Sequence, residues 1–63
     1  MLQFTDLNGF EHFIYLTRIS HIQEREVEDK TIITFHLVGP HTVPVNVDKA
    51  TAKRVLSEVR GKA

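Results

Sequence analysis

Leu7-Asn8-Gly9-Phe10-Glu11-His12-Phe13-Ile14-Tyr15-Leu16 contains the strongest turn signal in the chain and its most apolar strand. Asn8 and Gly9 both tolerate the positive φ that a two-residue type I′ turn requires. Such a turn pairs Leu7 with Phe10, Asp6 with Glu11, Thr5 with His12, Phe4 with Phe13, Gln3 with Ile14 and Leu2 with Tyr15. Side chains alternate along each strand. One face of the hairpin is therefore expected to hold Leu2, Phe4, Phe13 and Tyr15. The other is expected to hold Leu7, Phe10, Ile14 and Leu16, with Met1 at the rim. The same register sets Asp6 against Glu11, a like-charge pair that belongs at a solvated end. A solvated antiparallel sheet is ordinarily apolar on one face only, so this hairpin calls for cover on both.

The rest of the chain limits how that cover can be supplied. Sixty-three residues form one small domain, and a chain of that length buries only about 60% of its unfolded surface. It has no cysteine, so neither a disulfide nor a thiolate metal site can reinforce the core, and oligomerisation becomes the natural support. A cysteine-free sequence also suits the cytoplasm. No apolar run approaches the roughly 18 residues of a membrane span. No basic segment followed by an apolar core marks a signal peptide. Eight basic and eight acidic residues cancel, which speaks against a strongly basic nucleic-acid binder.

Strands are expected at about residues 1–6, 10–16, 19–24, 31–38 and 42–47, with a bend at Thr17-Arg18. Within Ile19–Glu24, Ile19 and Ile22 fall on opposite parities. A bulge, or a single turn before the strand, reconciles them. The charged stretch Arg25–Lys30 reads as a solvated turn; it lacks the central glycine of a calcium loop. In the fourth strand Ile33, Phe35 and Leu37 share one face and Ile32, Thr34 and His36 the other. In the fifth, Val43, Val45 and Val47 share a face. A two-residue turn at Gly39-Pro40 would set these apolar residues against polar ones. A three-residue loop, Gly39-Pro40-His41, pairs Leu37 with Val43, Phe35 with Val45 and Ile33 with Val47, so the hydrophobic pattern selects an odd-length loop. Pro44 lacks the N–H of a ladder rung and places the fifth strand at an edge.

A helix is expected over about 48–60. Asp48 is a good N-cap. Ala52, Val55, Leu56 and Val59 form one apolar stripe, and Val47 and Ala52 stand at the two positions of a hydrophobic staple. Gly61 suits the position past the helix end, with Arg60 and Lys62 favourable near the negative pole. The fold class expected is α+β: a four- to five-stranded, mostly antiparallel sheet with one C-terminal helix across one face. A single narrow stripe cannot cover both faces of the hairpin. Phe4, Phe13, Tyr15, Phe10, Ile14 and Leu16 are therefore the candidate protein-contact residues, whichever set the helix leaves bare.

Catalysis finds no foothold, and no catalytic residue is assigned. Ser20 and His21 are adjacent and would point to opposite faces of a strand. No nucleophile elbow, phosphate loop or His-Glu-x-x-His motif occurs. His12, His21, His36 and His41 lack metal-ligand spacing and read as ordinary strand-surface residues; no metal or cofactor is expected. The alternative to a protein-contact module is a nucleic-acid-binding regulator. From Asp48 onward five basic residues face two acidic ones, for a net +3, and Lys49, Lys53, Arg54 and Arg60 would track phosphates along the helix. The competing explanation is that an amphipathic helix needs a solvated face and lysine commonly fills it.

Several of these segments, in this order, resemble small bacterial proteins of the FlbD/SwrD type, which are often encoded among flagellar genes. The shared features are Leu7-Asn8-Gly9-Phe10-Glu11-His12-Phe13-Ile14, then Ile19-Ser20-His21-Ile22-Gln23-Glu24, then Thr31-Ile32-Ile33-Thr34, Gly39, and Val43–Val47 leading to Val55. The sequence departs at Gly39-Pro40-His41-Thr42 and Asn46-Val47-Asp48, where that family carries a Gly-Lys/Arg turn feeding Val-x-Glu-Ser. Phage proteins of similar size can reach the same pattern. The resemblance implies a non-enzymatic accessory or regulatory protein with no catalytic residues to carry over.

Overall fold

The computed structural model describes residues 1–61. Five strands and one helix follow in order: β1 (Leu2–Thr5), β2 (Glu11–Ile14), β3 (Ile19–Val27), β4 (Lys30–Leu37), β5 (His41–Asp48) and α1 (Lys49–Arg60), with a 3-10 turn at Leu16–Arg18 between β2 and β3. The class is α+β, as expected, but the strands do not form one sheet. β1 and β2 make a two-stranded antiparallel sheet, and β3, β4 and β5 make a three-stranded antiparallel sheet in that order.

The break has a local cause. After Tyr15 the chain closes a 3-10 turn, with Arg18 N–H donating to the Tyr15 carbonyl and Ile19 N–H to that of Leu16. This turn swings β3 away from β2 and toward β4. The irregularity expected near Ile19 takes both proposed forms, the 3-10 turn and a bulge between Ile19 and His21. β3 then runs through the stretch expected to be a charged loop. The turn shrinks to Glu28-Asp29, with Val27 opposite Lys30 and Glu28 at φ 55°.

The β1–β2 register also departs from expectation. The pairs are Leu2–Ile14, Gln3–Phe13, Phe4–His12 and Thr5–Glu11, one residue from the register of a two-residue turn. The loop holds three residues, Leu7-Asn8-Gly9. Gly9 N–H donates to the Asp6 carbonyl and Asp6 N–H to that of Phe10, with Gly9 at φ 87°. This is a type I turn followed by a left-handed glycine, the usual three-residue hairpin loop. Asp6 selects it: one carboxylate oxygen accepts the N–H groups of both Asn8 and Phe10 at 2.9 Å. A one-residue slip flips every side chain of one strand relative to the other. Leu2, Phe4, His12 and Ile14 therefore share the inner face, while Gln3, Thr5, Glu11 and Phe13 share the outer one. Asp6 does not face Glu11, and its side chain is only 7% exposed.

In the second sheet the parity expected for β4 and β5 holds, while the pairing is displaced by two residues. Phe35 faces Val43, Ile33 faces Val45 and Thr31 faces Val47. The odd-length loop is Val38-Gly39-Pro40. The displacement lets all eight residues of β5 pair with β4, where the expected register would leave two rungs unmade. β5 is an edge strand. Its Asn46 carbonyl accepts the N–H of Leu7 at 2.8 Å, so it points away from β4. By the alternation of an antiparallel ladder, the backbone of Pro44 also faces outward, where a missing N–H costs no rung.

The helix follows its sequence signals. Asp48 caps it by accepting the N–H of Thr51 at 2.7 Å. Hydrogen bonding to the Thr51 side chain, with this backbone bond second, holds the Asp48 carboxyl below its ordinary value against a smaller opposing effect of burial. Ala52 and Val55 are buried, and Leu56 and Val59 pack beside them. Gly61 stays in the right-handed region at φ −65° and donates to the Ser57 carbonyl, so it extends the last turn rather than reversing the chain. The favourable charge expected at Lys62 lies outside the described residues.

The core lies between the two sheets and the helix. Leu2, Phe4 and Ile14 come from the hairpin, Ile33, Phe35, Val45 and Val47 from the larger sheet, and Ala52 and Val55 from α1. The rings of Phe4 and Phe35 stack with centroids 5.8 Å apart. Sheet packs on sheet here, and the helix closes one side against β1, β4 and β5.

Candidate contact surface

The six candidate contact residues divide between inside and outside. Phe4 and Ile14, 3% and 8% exposed, belong to the core. They are corrected from candidate contacts to core residues because the register turns them inward. Leu16 packs half-buried against that core at the 3-10 turn. Phe10, Phe13 and Tyr15 stand 66%, 56% and 61% exposed. Met1 joins them at 63%; the β1–β2 register continued by one residue sets it beside Tyr15.

Phe13 on β2 and Tyr15, the extended residue just past its end, sit two apart and so project from the same outer face. Met1, Tyr15, Leu16 and Thr17 line an open depression of about 430 Å³. Gln3 reaches diagonally across the face to Glu11, Nε2 donating to the carboxylate at 3.3 Å. The face is thus an aromatic strip with a polar border. Leu7 and Phe10 are also exposed, at the hairpin tip; Phe10 has the parity of His12 and Ile14 and does not belong to this face.

The loop beneath that tip is held by Asp6. Besides the two N–H groups on one oxygen, its second oxygen accepts from His12 Nε2 at 2.8 Å. An ionised carboxylate is acceptor-only, so the proton lies on this His12 nitrogen. The His12 bond is the main reason the Asp6 carboxyl sits below its ordinary 3.8; burial opposes it, and the Phe10 and Asn8 N–H groups add to it. The His12 ring stacks on Phe4 at 5.0 Å, which joins the loop latch to the core.

Two basic residues of the helix pair with acids. Lys49 lies 3.5 Å from Glu26. Arg54 pairs with Glu58 at 3.0 Å and donates to the Gln3 carbonyl at 3.1 Å. Lys49, Lys53 and Arg60 line a groove of about 310 Å³ that also holds Glu24, Glu26, Thr31 and Leu56. A phosphate chain approaching this face would meet two carboxylates as well as three cations. Sequence reasoning missed this opposition because it treated Glu24 and Glu26 as part of a strand end and a loop. In the structure β3 carries them alongside the helix.

The histidines are dispersed. His21 and His36 pack edge to face across β3 and β4, centroids 5.0 Å apart. His36 Nε2 lies 3.0 Å from Gln23 Oε1, and Ser20 Oγ donates to the His36 carbonyl. His41 is exposed. Among the described residues no three His, Cys, Asp or Glu side chains come together as a metal site, and no helix is long and apolar enough to cross a membrane. No protein-family model, curated protein or solved structure matches the chain.

Proposed function

We propose that this chain is a small non-enzymatic protein-interaction or regulatory module whose contact surface is the outer face of the β1–β2 hairpin. The observation that carries this reading is the grouping of Met1, Phe13 and Tyr15 on one solvent-facing side of a 63-residue fold. Single exposed apolar residues are ordinary, whereas contiguous ones mark contact sites. Aromatic residues and methionine are enriched at the centre of protein interfaces. The partner we favour is a further copy of the chain, since so short a core gains most from association.

The resemblance to FlbD/SwrD-type proteins supports a flagellar or phage-type accessory role, and the absence of cysteine supports a cytoplasmic setting. Helix binding to nucleic acid is disfavoured by the carboxylates of Glu24, Glu26 and Glu58 beside Lys49, Lys53, Arg54 and Arg60.

Sedimentation at about 10 μM, in the affinity range expected of a small interface, tests the reading. The native chain is expected to sediment above monomer mass and Phe13→Ser as a folded monomer. A native chain that remains monomeric both there and at about 500 μM overturns self-association.

A further inference from the structure

The hairpin presents an open strand edge as well as an aromatic face. Asp6 N–H bonds to the Phe10 carbonyl, which fixes the alternation along the ladder. Phe4–His12 and Leu2–Ile14 are the hydrogen-bonded pairs, and Thr5–Glu11 and Gln3–Phe13 the non-bonded ones. The N–H and C=O groups of Glu11 and Phe13 therefore point away from β1. β2 is the last strand of its two-stranded sheet, so among the described residues no strand lies beyond them.

The other edges are obstructed. On β1, Arg54 occupies the outward carbonyl of Gln3, and α1 packs alongside. On β5, Leu7 occupies the outward carbonyl of Asn46, and Pro44 has no N–H to offer. β3 is bulged between Ile19 and His21 and carries exposed Glu24, Arg25 and Glu26, the charges and irregularities that keep edges from pairing. β2 has one charge, Glu11, followed by exposed Phe13, with exposed Tyr15 just past its end.

We infer that β2 pairs antiparallel with β2 of a second copy across a twofold axis at Phe13, joining the two hairpins into a four-stranded sheet β1–β2–β2′–β1′. This rests on the contact surface proposed above and names its partner and mode. An antiparallel strand centred on one of its own residues is self-complementary, as a twofold interface requires. Charge favours Phe13 as that centre. Phe13 then faces its own copy, and Glu11 faces the partner's Tyr15. Centring on Glu11 would set two carboxylates directly opposite each other, a destabilising pair. On the inner side His12 lies opposite the partner's Ile14, which continues the half-buried face of each hairpin.

The exposed parts of Phe13 and Tyr15, the large side chains beside the partner strand, amount to roughly 230 Å² per protomer, taking about 200 Å² for each large side chain. Two copies bring together about 460 Å², against the 1,200–2,000 Å² of a standard stable interface. Glu11, His12 and the backbone edge add to this, and an interface at or below the standard size is expected to give a dimer no tighter than the micromolar range.

Residue-resolved amide exchange on the native chain, at about 10 μM and again near 500 μM, reads edge pairing directly. The Glu11 and Phe13 amides are expected to slow by about tenfold or more as the dimer forms. Glu11→Pro, which removes one outward N–H and leaves the aromatic strip intact, is expected to weaken the dimer about tenfold or more. A dimer whose Glu11 and Phe13 amides exchange as fast as in the monomer overturns edge pairing and leaves the aromatic contact face standing. A chain monomeric at both concentrations overturns edge pairing and self-association together.

Discussion

The carboxylate of Asp6 accepts three hydrogen bonds, from the N–H groups of Asn8 and Phe10 and from His12. Its pKa lies below the ordinary 3.8. A group depressed in the folded state adds stability above its unfolded pKa and loses it as pH falls through the folded one. The native chain is thus expected to lose melting temperature as pH falls below about 4. Asp6→Ala should melt lower at neutral pH and show a shallower acid loss, with the Asp48 contribution still present. Thermal melts across about pH 2–7 check this, and an acid limb unchanged by the substitution would refute it. Gly9 offers a second residue-level test. A Cβ there meets nothing within 4 Å, so Gly9→Ala costs only what φ 87° imposes, about 1–2 kcal/mol. Denaturant unfolding should show that loss, with a smaller one for Gly9→Asn.

At the level of elements, the hairpin's two faces separate core from solvent. Phe13→Ser alters a side chain already exposed, so its thermal unfolding should change by no more than about 0.5 kcal/mol in the monomer. Phe4→Ser should unfold the chain. Comparing their circular dichroism distinguishes the faces. The helix was legible in the sequence because its signals are local: a cap at Asp48 and a stripe at Ala52, Val55, Leu56 and Val59. The faces of β4 and β5 were legible because parity survives a shift of two. The hairpin register was not, because Asn8-Gly9 serves both a two-residue turn and a three-residue loop. The deciding group, Asp6, acts through its carboxylate. A sharper signal was available, since the three-residue loop gathers Leu2, Phe4 and Ile14 on one side with Gln3, Thr5 and Glu11 on the other. The division into two sheets was hidden because alternation shows which residues share a face and says nothing about where a ladder stops. As a result Phe13 and Tyr15, named as candidate contacts, are exposed, while Phe4 and Ile14, named beside them, lie in the core.

For the molecule as a whole, one small core carries the stability. Phe35 is fully buried and stacks on Phe4. Phe35→Ala is expected to cost about 3–5 kcal/mol, a large share of the few kcal/mol available to a chain of this size, and to leave it largely unfolded at 25 °C. Phe35→Leu should remain folded. The surface as a whole is balanced in charge, and the basic side of α1 faces acids on β3. The chain is expected to show no retention of DNA or RNA at about 50 mM salt. A steep salt-dependent shift would instead return Lys49, Lys53, Arg54 and Arg60 to the centre of the argument.

The bond from Arg54 to the Gln3 carbonyl spans 51 positions of sequence, and β1 packs against α1. β1 and α1 therefore complete the core together. During synthesis β3, β4 and β5 can form as a local meander as they emerge, yet Leu2 and Phe4 wait for Ala52 and Val55 before they are fully covered. Nascent chains stopped at Asp48 are accordingly expected to remain protease-sensitive, with resistance arising only once α1 has left the ribosome. Until then the hairpin stays incompletely covered, and the turns of α1 decide when the core closes.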